Sequence, residues 1–247
     1  MATPVTSAAG KAAHPAPTPP SNLPETDEQP LESPWHRACM NLLIEAVEYR
    51  LAGRKDFYVG GNMFIYFSAR QVRHRDYSGP DFFFVQGPGI DHDRPRQYWA
   101  IWDEDGRYPN VIIELSSPST SAEDHTTRKE LYEQTFQTAE YFIYDPSARV
   151  VEGWRLAKRR YRRIRPSEQG RLWSEELGLW VGTWRGKFQE HEDLWLRFFD
   201  PEGNLVLLPG ESERQRADAA AAEAARLRQE LEALKGARAT PPAPPAE

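Results

Sequence analysis

Two acidic residues lie in apolar stretches that follow one another along the chain, and two cations come after them. Asp81 directly precedes the run Phe82 to Val85, and Glu114 lies inside the run Val111 to Leu115. A hairpin that paired these runs would bring the carboxylates side by side. Two hard oxygen ligands a few ångströms apart are what Mg²⁺ requires. A nearby cation could then stabilise negative charge that develops on a phosphate.

Each acid also has a structural interpretation. An Asp at the start of a strand is often a turn former, which is the alternative for Asp81. Glu114 is flanked by Ile113 and Leu115, so it is expected in a buried strand, where an unpaired charge costs roughly several kcal/mol. Either a metal ion or an ion pair would offset that cost. The residues alone leave both interpretations open.

The two cations, Arg128 and Lys129, lie in a charged stretch that is predicted to be a helix from about 122 to 138. Consecutive helix residues point about 100° apart, so only one of the two cations can face the acids fully. The apolar stripe through Leu131 and Tyr132 is centred nearer to Arg128. The alternative is that both cations belong to a solvated face.

A local basic patch matters more for nucleic-acid binding than the net charge of −6, half of which lies in residues 1–34. The basic patch of this chain lies between Arg155 and Arg165. This part of the chain is predicted to be a hairpin, with strands 150–154 and 161–164 and a turn around 158–160. Its guanidinium groups suit phosphate oxygens, and its aromatic residues could pack on sugar or base. A solvated edge strand is the alternative. The candidate DNA-binding residues are Arg159, Arg160, Arg162 and Arg163.

The histidines do not suggest a metal site or a hydrolase triad. Their spacing along the chain is not that of histidines that bind a metal, and we expect each of them at the surface. They are His14, His36, His74, His92, His125 and His191. Ser116 and His125 do not indicate a serine hydrolase, because the chain has no Gly-x-Ser-x-Gly elbow.

The elements that must position these residues begin with an amphipathic helix from about Cys39 to Leu51. Short apolar runs that favour strands follow, at 57–59, 63–67, 82–85, 111–115, 141–144, 177–181 and 194–199. The strand, helix and strand between 111 and 144 imply a right-handed crossover and a parallel pair. The fold class is therefore α/β, as a mixed α+β sheet with flanking helices, and we expect the last two runs to complete that sheet.

The composition sets the expected environment. A chain of 247 residues with 39% apolar content can hold one ordinary core. Its single cysteine, Cys39, excludes an intrachain disulfide and favours a reducing compartment. Residues 1–34 lack the apolar run of a signal peptide, and no stretch reaches membrane-spanning length. We expect a cytoplasmic protein with no membrane contact.

Several stretches together carry a family resemblance. They are Gly60 to Tyr66, Gly79 to Val85, the VIIELSSPST run from Val111 to Thr120, and Glu140 to Pro146. These motifs resemble the Uma2 family of endonucleases, within the PD-(D/E)XK nuclease superfamily, over roughly residues 35–210. The resemblance implies a restriction-endonuclease-like core and a Mg²⁺-dependent DNA endonuclease that hydrolyses phosphodiester bonds. It also implies Asp81 and Glu114 as ligands of Mg²⁺, with Mn²⁺ as an alternative ion.

The chain departs from the family pattern at one cation. The resemblance implies a Lys four residues after an Asp and four before a Tyr, which are Asp124 and Tyr132 here, but that position is Arg128. Arg can clamp a phosphate but cannot lose a proton to activate water. We therefore predict Lys129 as the catalytic contributor and Arg128 as the clamp. A catalytically weak or inactive module that binds nucleic acid or protein is the alternative function.

The ends of the chain differ from this core. Residues 1–34 and 236–247 are rich in Pro and Ala and are predicted to be disordered tails around the nuclease-like domain of 35–210. Residues 211–235 predict a coiled-coil-like helix. Half of its apolar seam is alanine, so we expect either a weak homodimer through this segment or a solitary solvated helix. An oligomerising adaptor organised by this helix is a third possible function.

Overall fold

The computed structural model describes residues 33–68, 71 and 79–239. The predicted N-terminal tail up to residue 32 and the final residues 240–247 lie outside this description. In the described part of the chain, no helix is both long and apolar enough to span a membrane.

The first helix, α1, spans Pro34–Arg50. Ser33 caps it, since its hydroxyl accepts a hydrogen bond from the His36 N–H at 3.2 Å, and Pro34 fits the first turn because that turn needs no donor. The helix buries one face, including Leu42 and Val47, against the sheets. It therefore fixes the position of its first turn relative to the strands.

Eleven strands occur within the described residues. In chain order they are β1 Phe57–Gly60, β2 Ile65–Tyr66, β3 Phe82–Gln86, β4 Trp99–Ala100, β5 Val111–Leu115, β6 Glu140–Asp145, β7 Val150–Ala157, β8 Arg160–Arg163, β9 Leu172–Ser174, β10 Leu179–Phe188 and β11 His191–Phe199. The central sheet has the order β1-β3-β5-β6-β7-β8, and β2 and β4 form a short parallel pair beside it. The predicted mixed α/β class is confirmed.

The only parallel pair of the central sheet, as far as the structure describes it, joins β5 to β6. The other neighbours in this sheet run antiparallel. The central strands β5 and β6 are buried almost throughout, as the uninterrupted apolar runs predicted. The crossover between them carries the residues predicted to be cations of the site.

The prediction of one helix from 122 to 138 was wrong, because the crossover consists of three short segments. They are α2 Ser121–His125, α3 Thr127–Glu130 and a π-helical turn at Leu131–Phe136. Thr126 breaks the run with φ −120° and ψ −89°, and its hydroxyl donates to the Ala122 carbonyl at 2.6 Å. Gln137 ends the turn in a left-handed conformation with φ 52°.

The last strands also differ from expectation, since they do not extend the central sheet. β9, β10 and β11 form a separate antiparallel sheet of three strands. Its apolar residues, such as Leu172, Val181 and Phe198, share one buried cluster with Ile113 and Phe142 of the central sheet. Burial of that cluster favours face-to-face packing of the two sheets over edge-to-edge pairing.

The C-terminal helix, α4, spans Pro209–Ala239 and so extends beyond the predicted range of 211–235. Fully buried Arg197 anchors its first turn, because its guanidinium bonds both carboxylate oxygens of Glu211 at 3.0 and 2.7 Å. Three leucines of the predicted seam, Leu227, Leu231 and Leu234, are 51%, 50% and 69% exposed. The single chain thus leaves this seam open to solvent.

Candidate active site

Antiparallel pairing of β3 and β5 places the two predicted acids next to each other. The register aligns Phe82 with Ile113, so Asp81 lies beside Glu114. The Asp81 N–H donates to Glu114 Oε2 at 3.2 Å, and the Leu115 N–H donates to Asp81 Oδ2 at 2.7 Å. The backbone of each strand thus orients the carboxylate of the other.

Glu114 is completely buried within this arrangement. The Tyr132 hydroxyl donates to its Oε1 at 2.8 Å, and Arg128 Nη1 lies 3.2 Å from its Oε2. Burial raises the pKa of Glu114, although Arg128 acts in the opposite direction. The ion pair that the sequence left open is therefore present, and it occupies one oxygen of the candidate ligand.

Asp124 is an acidic member of the site that sequence reasoning did not assign a role. Only 1% of the residue is exposed. The Ser116 and Thr120 hydroxyls lie close enough to lower the pKa of its carboxyl, but neither carboxylate oxygen has a hydrogen bond of good geometry. Its closest described cation is Arg128, whose Nη1 lies 3.6 Å from Oδ1. Burial raises the pKa of Asp124, although Arg128 and the hydroxyls of Ser116 and Thr120 act in the opposite direction. In the sequence, the four-residue spacing from Asp124 to Arg128 was the feature that could have indicated that Asp124 belongs to the site.

The surface placement predicted for the histidines was wrong for His36. This residue is 8% exposed, and its Nε2 lies 2.6 Å from Asp81 Oδ1. It lies in the first turn of α1, whose packing against the sheet turns the ring towards the end of β3. A helical periodicity can identify the buried face of α1, but it does not identify the residue that this face contacts.

The two neighbouring cations face different surroundings. Arg128 contacts Glu114 and also Glu123, whose Oε1 lies 3.4 Å from its Nε. Lys129 instead places Nζ 3.8 Å from the centroid of a Trp154 ring, and partial burial there lowers its pKa. The structure thus brings Arg128 to the candidate acids and directs Lys129 towards the aromatic residue.

The backbone beside Asp81 is packed too closely for a side chain at Gly61. The Asn62 N–H donates to the Pro80 carbonyl at 2.9 Å, which draws the two loops together. A Cβ atom at Gly61 would lie 2.3 Å from the Asp81 carbonyl oxygen and 2.8 Å from Met40 Cγ. Glycine is therefore needed here for close approach of the backbone.

The donor types of the site suit a hard divalent cation, since carboxylate oxygens are the ligands that Mg²⁺ prefers. The buried carboxylate of Asp124, whose only described counter-ion is Arg128 at 3.6 Å, is the observation that fits such an ion best. Even so, no group of three or more His, Cys, Asp or Glu in the described parts of the chain is arranged to hold a metal. The Arg128 guanidinium lies between Glu114 and Asp124 and supplies the positive charge there.

The basic hairpin forms at β7 and β8, with its turn at Lys158 and Arg159 in the left-handed region at φ 51° and 65°. Two of the four candidate DNA-binding arginines are ion-paired. Arg160 Nη1 lies 3.4 Å from Glu133 Oε2, and Arg163 Nη2 lies 2.5 Å from Glu152 Oε1. Arg159 and Arg162 are exposed and form no ion pair with a described residue.

A mixed sheet with adjacent acids on two paired strands, and helices around it, defines a restriction-endonuclease-like class of protein. The profile described as "Uma2: Putative restriction endonuclease" matches residues 25–186, which is more than half of the chain. The chain therefore belongs to the Uma2 family.

The other comparisons with known proteins give less information about this chain. No curated protein matches the chain. A solved structure from Anabaena variabilis ATCC 29413, titled as a putative nuclease belonging to DUF820, is similar at 13% identity with a TM-score of 0.43. The match covers 60% of this chain and 76% of that one.

Proposed function

We propose that this protein is a divalent-metal-dependent endonuclease that hydrolyses phosphodiester bonds in DNA, with Asp81 and Glu114 holding Mg²⁺ or Mn²⁺. The observation that carries the proposal is the hydrogen bond of 3.2 Å from the Asp81 N–H to Glu114 Oε2, which joins the two acids at the ends of paired strands. The buried carboxylate of Asp124 supports it, because its only described counter-ion is Arg128 at 3.6 Å, and a bound cation would offset the remaining cost of its burial.

Each residue of the site would have a distinct role in the reaction. His36 and the Leu115 N–H orient Asp81, and the Tyr132 hydroxyl orients Glu114. Asp81 and Glu114 would hold the metal, which would supply Lewis-acid chemistry at the scissile phosphate and lower the pKa of an attacking water. Arg128 binds a phosphate oxygen and offsets the growing negative charge, because a guanidinium does not accept or release a proton at neutral pH.

The DNA would bind along the basic hairpin. Arg159 and Arg162 are the members of the predicted set that are exposed and form no ion pair with a described residue. Arg160 and Arg163 form ion pairs with acids, so they would contribute less to phosphate binding.

We also propose that residues 211–235 support a weak homodimer, since the exposed leucines of α4 would then be covered.

One observation favours the alternative function, a catalytically inactive module that binds nucleic acid. The Arg128 guanidinium already lies 3.2 Å from Glu114 and 3.6 Å from Asp124, so it competes with a metal for both acids. If the competition favours Arg128, the site is an internal ion pair and the basic hairpin alone is functional.

Nicking of supercoiled plasmid with Mg²⁺, Mn²⁺ or EDTA, together with calorimetry of Mn²⁺ binding, tests the proposal. We expect Asp81→Asn and Glu114→Gln each to lose both metal-dependent nicking and Mn²⁺ binding. Asp103→Asn, an exposed acid, is the matched control. Plasmid binding without nicking or Mn²⁺ binding in the unaltered protein would overturn the proposal and favour the inactive module.

A further inference from the structure

A groove of about 600 Å³ lies between β8 and the second sheet. Its lining includes four arginines and two tryptophans, namely Arg155, Arg162, Arg163, Arg165, Trp173 and Trp180. None of the described residues that line it is acidic. This concave surface brings guanidinium groups and aromatic rings together at the same place.

The groove and the candidate active site use different faces of the central sheet. Tyr161 belongs with Tyr132 to the cluster on the face of Glu114, and its ring lies 6.1 Å from that of Tyr141. Neighbouring strand residues point to opposite faces. Arg162 therefore points to the other face, where Ile164 joins the cluster shared with the second sheet.

The arginines of the groove are not equivalent. Arg155 is held in place, because it bonds Glu140 at 2.9 Å, Glu175 at 2.6 Å and the Trp173 carbonyl at 2.7 Å. In contrast, Arg162 and Arg165 are exposed, and no described residue forms an ion pair with either. These two guanidinium groups are available to an external anion.

The aromatic part of the groove is a cross-strand pair. Trp173 of β9 lies opposite Trp180 of β10, and their rings meet edge to face with centroids 5.1 Å apart. Both side chains are partly exposed. Edge-to-face packing leaves ring surface accessible, and an aromatic face of this kind binds a nucleobase by stacking.

We propose that this groove binds a single-stranded segment of nucleic acid, with phosphates at Arg162 and Arg165 and a base against Trp173 and Trp180. A single strand is favoured because duplex bases are already stacked and do not offer their faces. An acidic peptide would satisfy the arginines, but its Asp and Glu side chains have no flat surface to stack on the rings. The inference rests on the proposed function, since it extends the contact region of the basic hairpin, through Arg162, to the tryptophans of the second sheet.

The topology predicts that binding depends on the length of the nucleic-acid strand. β8 is the edge strand of the central sheet, so a strand bound in the groove must pass around that edge to approach Glu114 on the other face. Short oligonucleotides could occupy one region only. Substitutions in the groove should therefore weaken binding of long single strands more than that of short ones.

The experiment uses the full chain carrying Glu114→Gln, in EDTA, so that binding is measured without cleavage. Anisotropy of labelled oligo(dT) of different lengths is recorded at several salt concentrations. For Arg162→Gln with Arg165→Gln, we expect weaker binding of long strands and a salt slope reduced by about 0.7 per lost contact. Arg149→Gln with Arg185→Gln, two exposed arginines outside the lining, is the charge-matched control.

The aromatic contact is tested by two substitutions at Trp180. Trp180→Leu should lower affinity roughly tenfold, because a stacked base is lost, while Trp180→Phe should retain most of it. Equal weakening by the groove pair and the control pair would overturn the proposal, as would unchanged binding in both Trp180 variants. Stronger binding of poly-glutamate than of oligo(dT) would assign the groove to acidic peptides. If the unaltered protein binds oligo(dT) through the groove but does not nick plasmid, the proposed nuclease activity is refuted and the groove proposal stands.

Discussion

Arg128 Nη1 lies 3.2 Å from Glu114 Oε2, and the Glu114 side chain is entirely removed from solvent. The arginine is thus the internal counter-ion of the acid that is expected to bind metal. A divalent ion at Glu114 must share this carboxylate with the guanidinium or displace it. The balance between these cations decides whether the site is catalytic, so it is the first relationship to test.

Arg128→Gln and Lys129→Gln separate the roles of the two neighbouring cations. We expect nicking to be lost in the first variant and nearly unchanged in the second, because Arg128 contacts Glu114 whereas Lys129 contacts Trp154. Rates of plasmid nicking at saturating Mn²⁺ measure the difference. The opposite result would support the role for Lys129 that the sequence predicted.

Asp124→Asn should reduce metal affinity and leave the fold at least as stable. The substitution removes the desolvation cost of a buried carboxylate, which outweighs its pairing with Arg128 at 3.6 Å, so the metal-free protein should not lose thermal stability. Mn²⁺ affinity should fall by about 10- to 100-fold. Calorimetric titration and a thermal melt of the same sample measure both quantities. A marked fall in melting temperature without any change in affinity would make Asp124 purely structural.

Glu211→Ala should destabilise the fold by about 3 kcal/mol, because it leaves the buried Arg197 without its carboxylate partner. Urea denaturation measures the change in the free energy of unfolding. Glu213→Ala removes an exposed acid from the same helix turn and should have little effect. Equal losses in both variants would show that the loss of negative charge at the helix N-terminus, not the ion pair, is responsible.

The Cys39 thiol should be unreactive in the native protein. It is completely buried in the core, and burial raises its pKa to about 12, so almost no thiolate forms at pH 8. Reaction with a chromogenic disulfide reagent should be slow in buffer and rapid in concentrated urea. Fast labelling of the native protein would mean that the packing between α1 and the second sheet opens readily.

Replacement of Leu227, Leu231 and Leu234 by Gln tests the proposed homodimer. These side chains are half exposed or more, and a second helix would cover them. We expect the unaltered chain to show a concentration-dependent mass by sedimentation, and the variant to remain monomeric. This change keeps Glu211 and therefore does not disturb the anchor at Arg197. Equal, monomeric masses at all concentrations for both proteins would exclude the dimer.

Local pattern was sufficient for some features. The apolar runs at 82–85 and 111–115 predicted strands that could pair, and the pairing brings Asp81 beside Glu114. The break at Thr126 could not be predicted in this way, because it arises from one side chain that bonds the preceding turn. The burial of His36 and Asp124 is also a result of tertiary packing. Residue type alone favours exposure for both.

The contact at Gly61 makes the site vulnerable at a residue that has no functional group. A methyl group there would lie 2.3 Å from the Asp81 carbonyl oxygen, and backbone cannot yield as a flexible side chain can. A relative with every acid and cation intact, but with a larger residue at this position, should have a displaced Asp81. Inspection of polar residues alone would classify such a relative as active, so the identity of this glycine belongs among the criteria for sorting competent members of the family from degenerate ones.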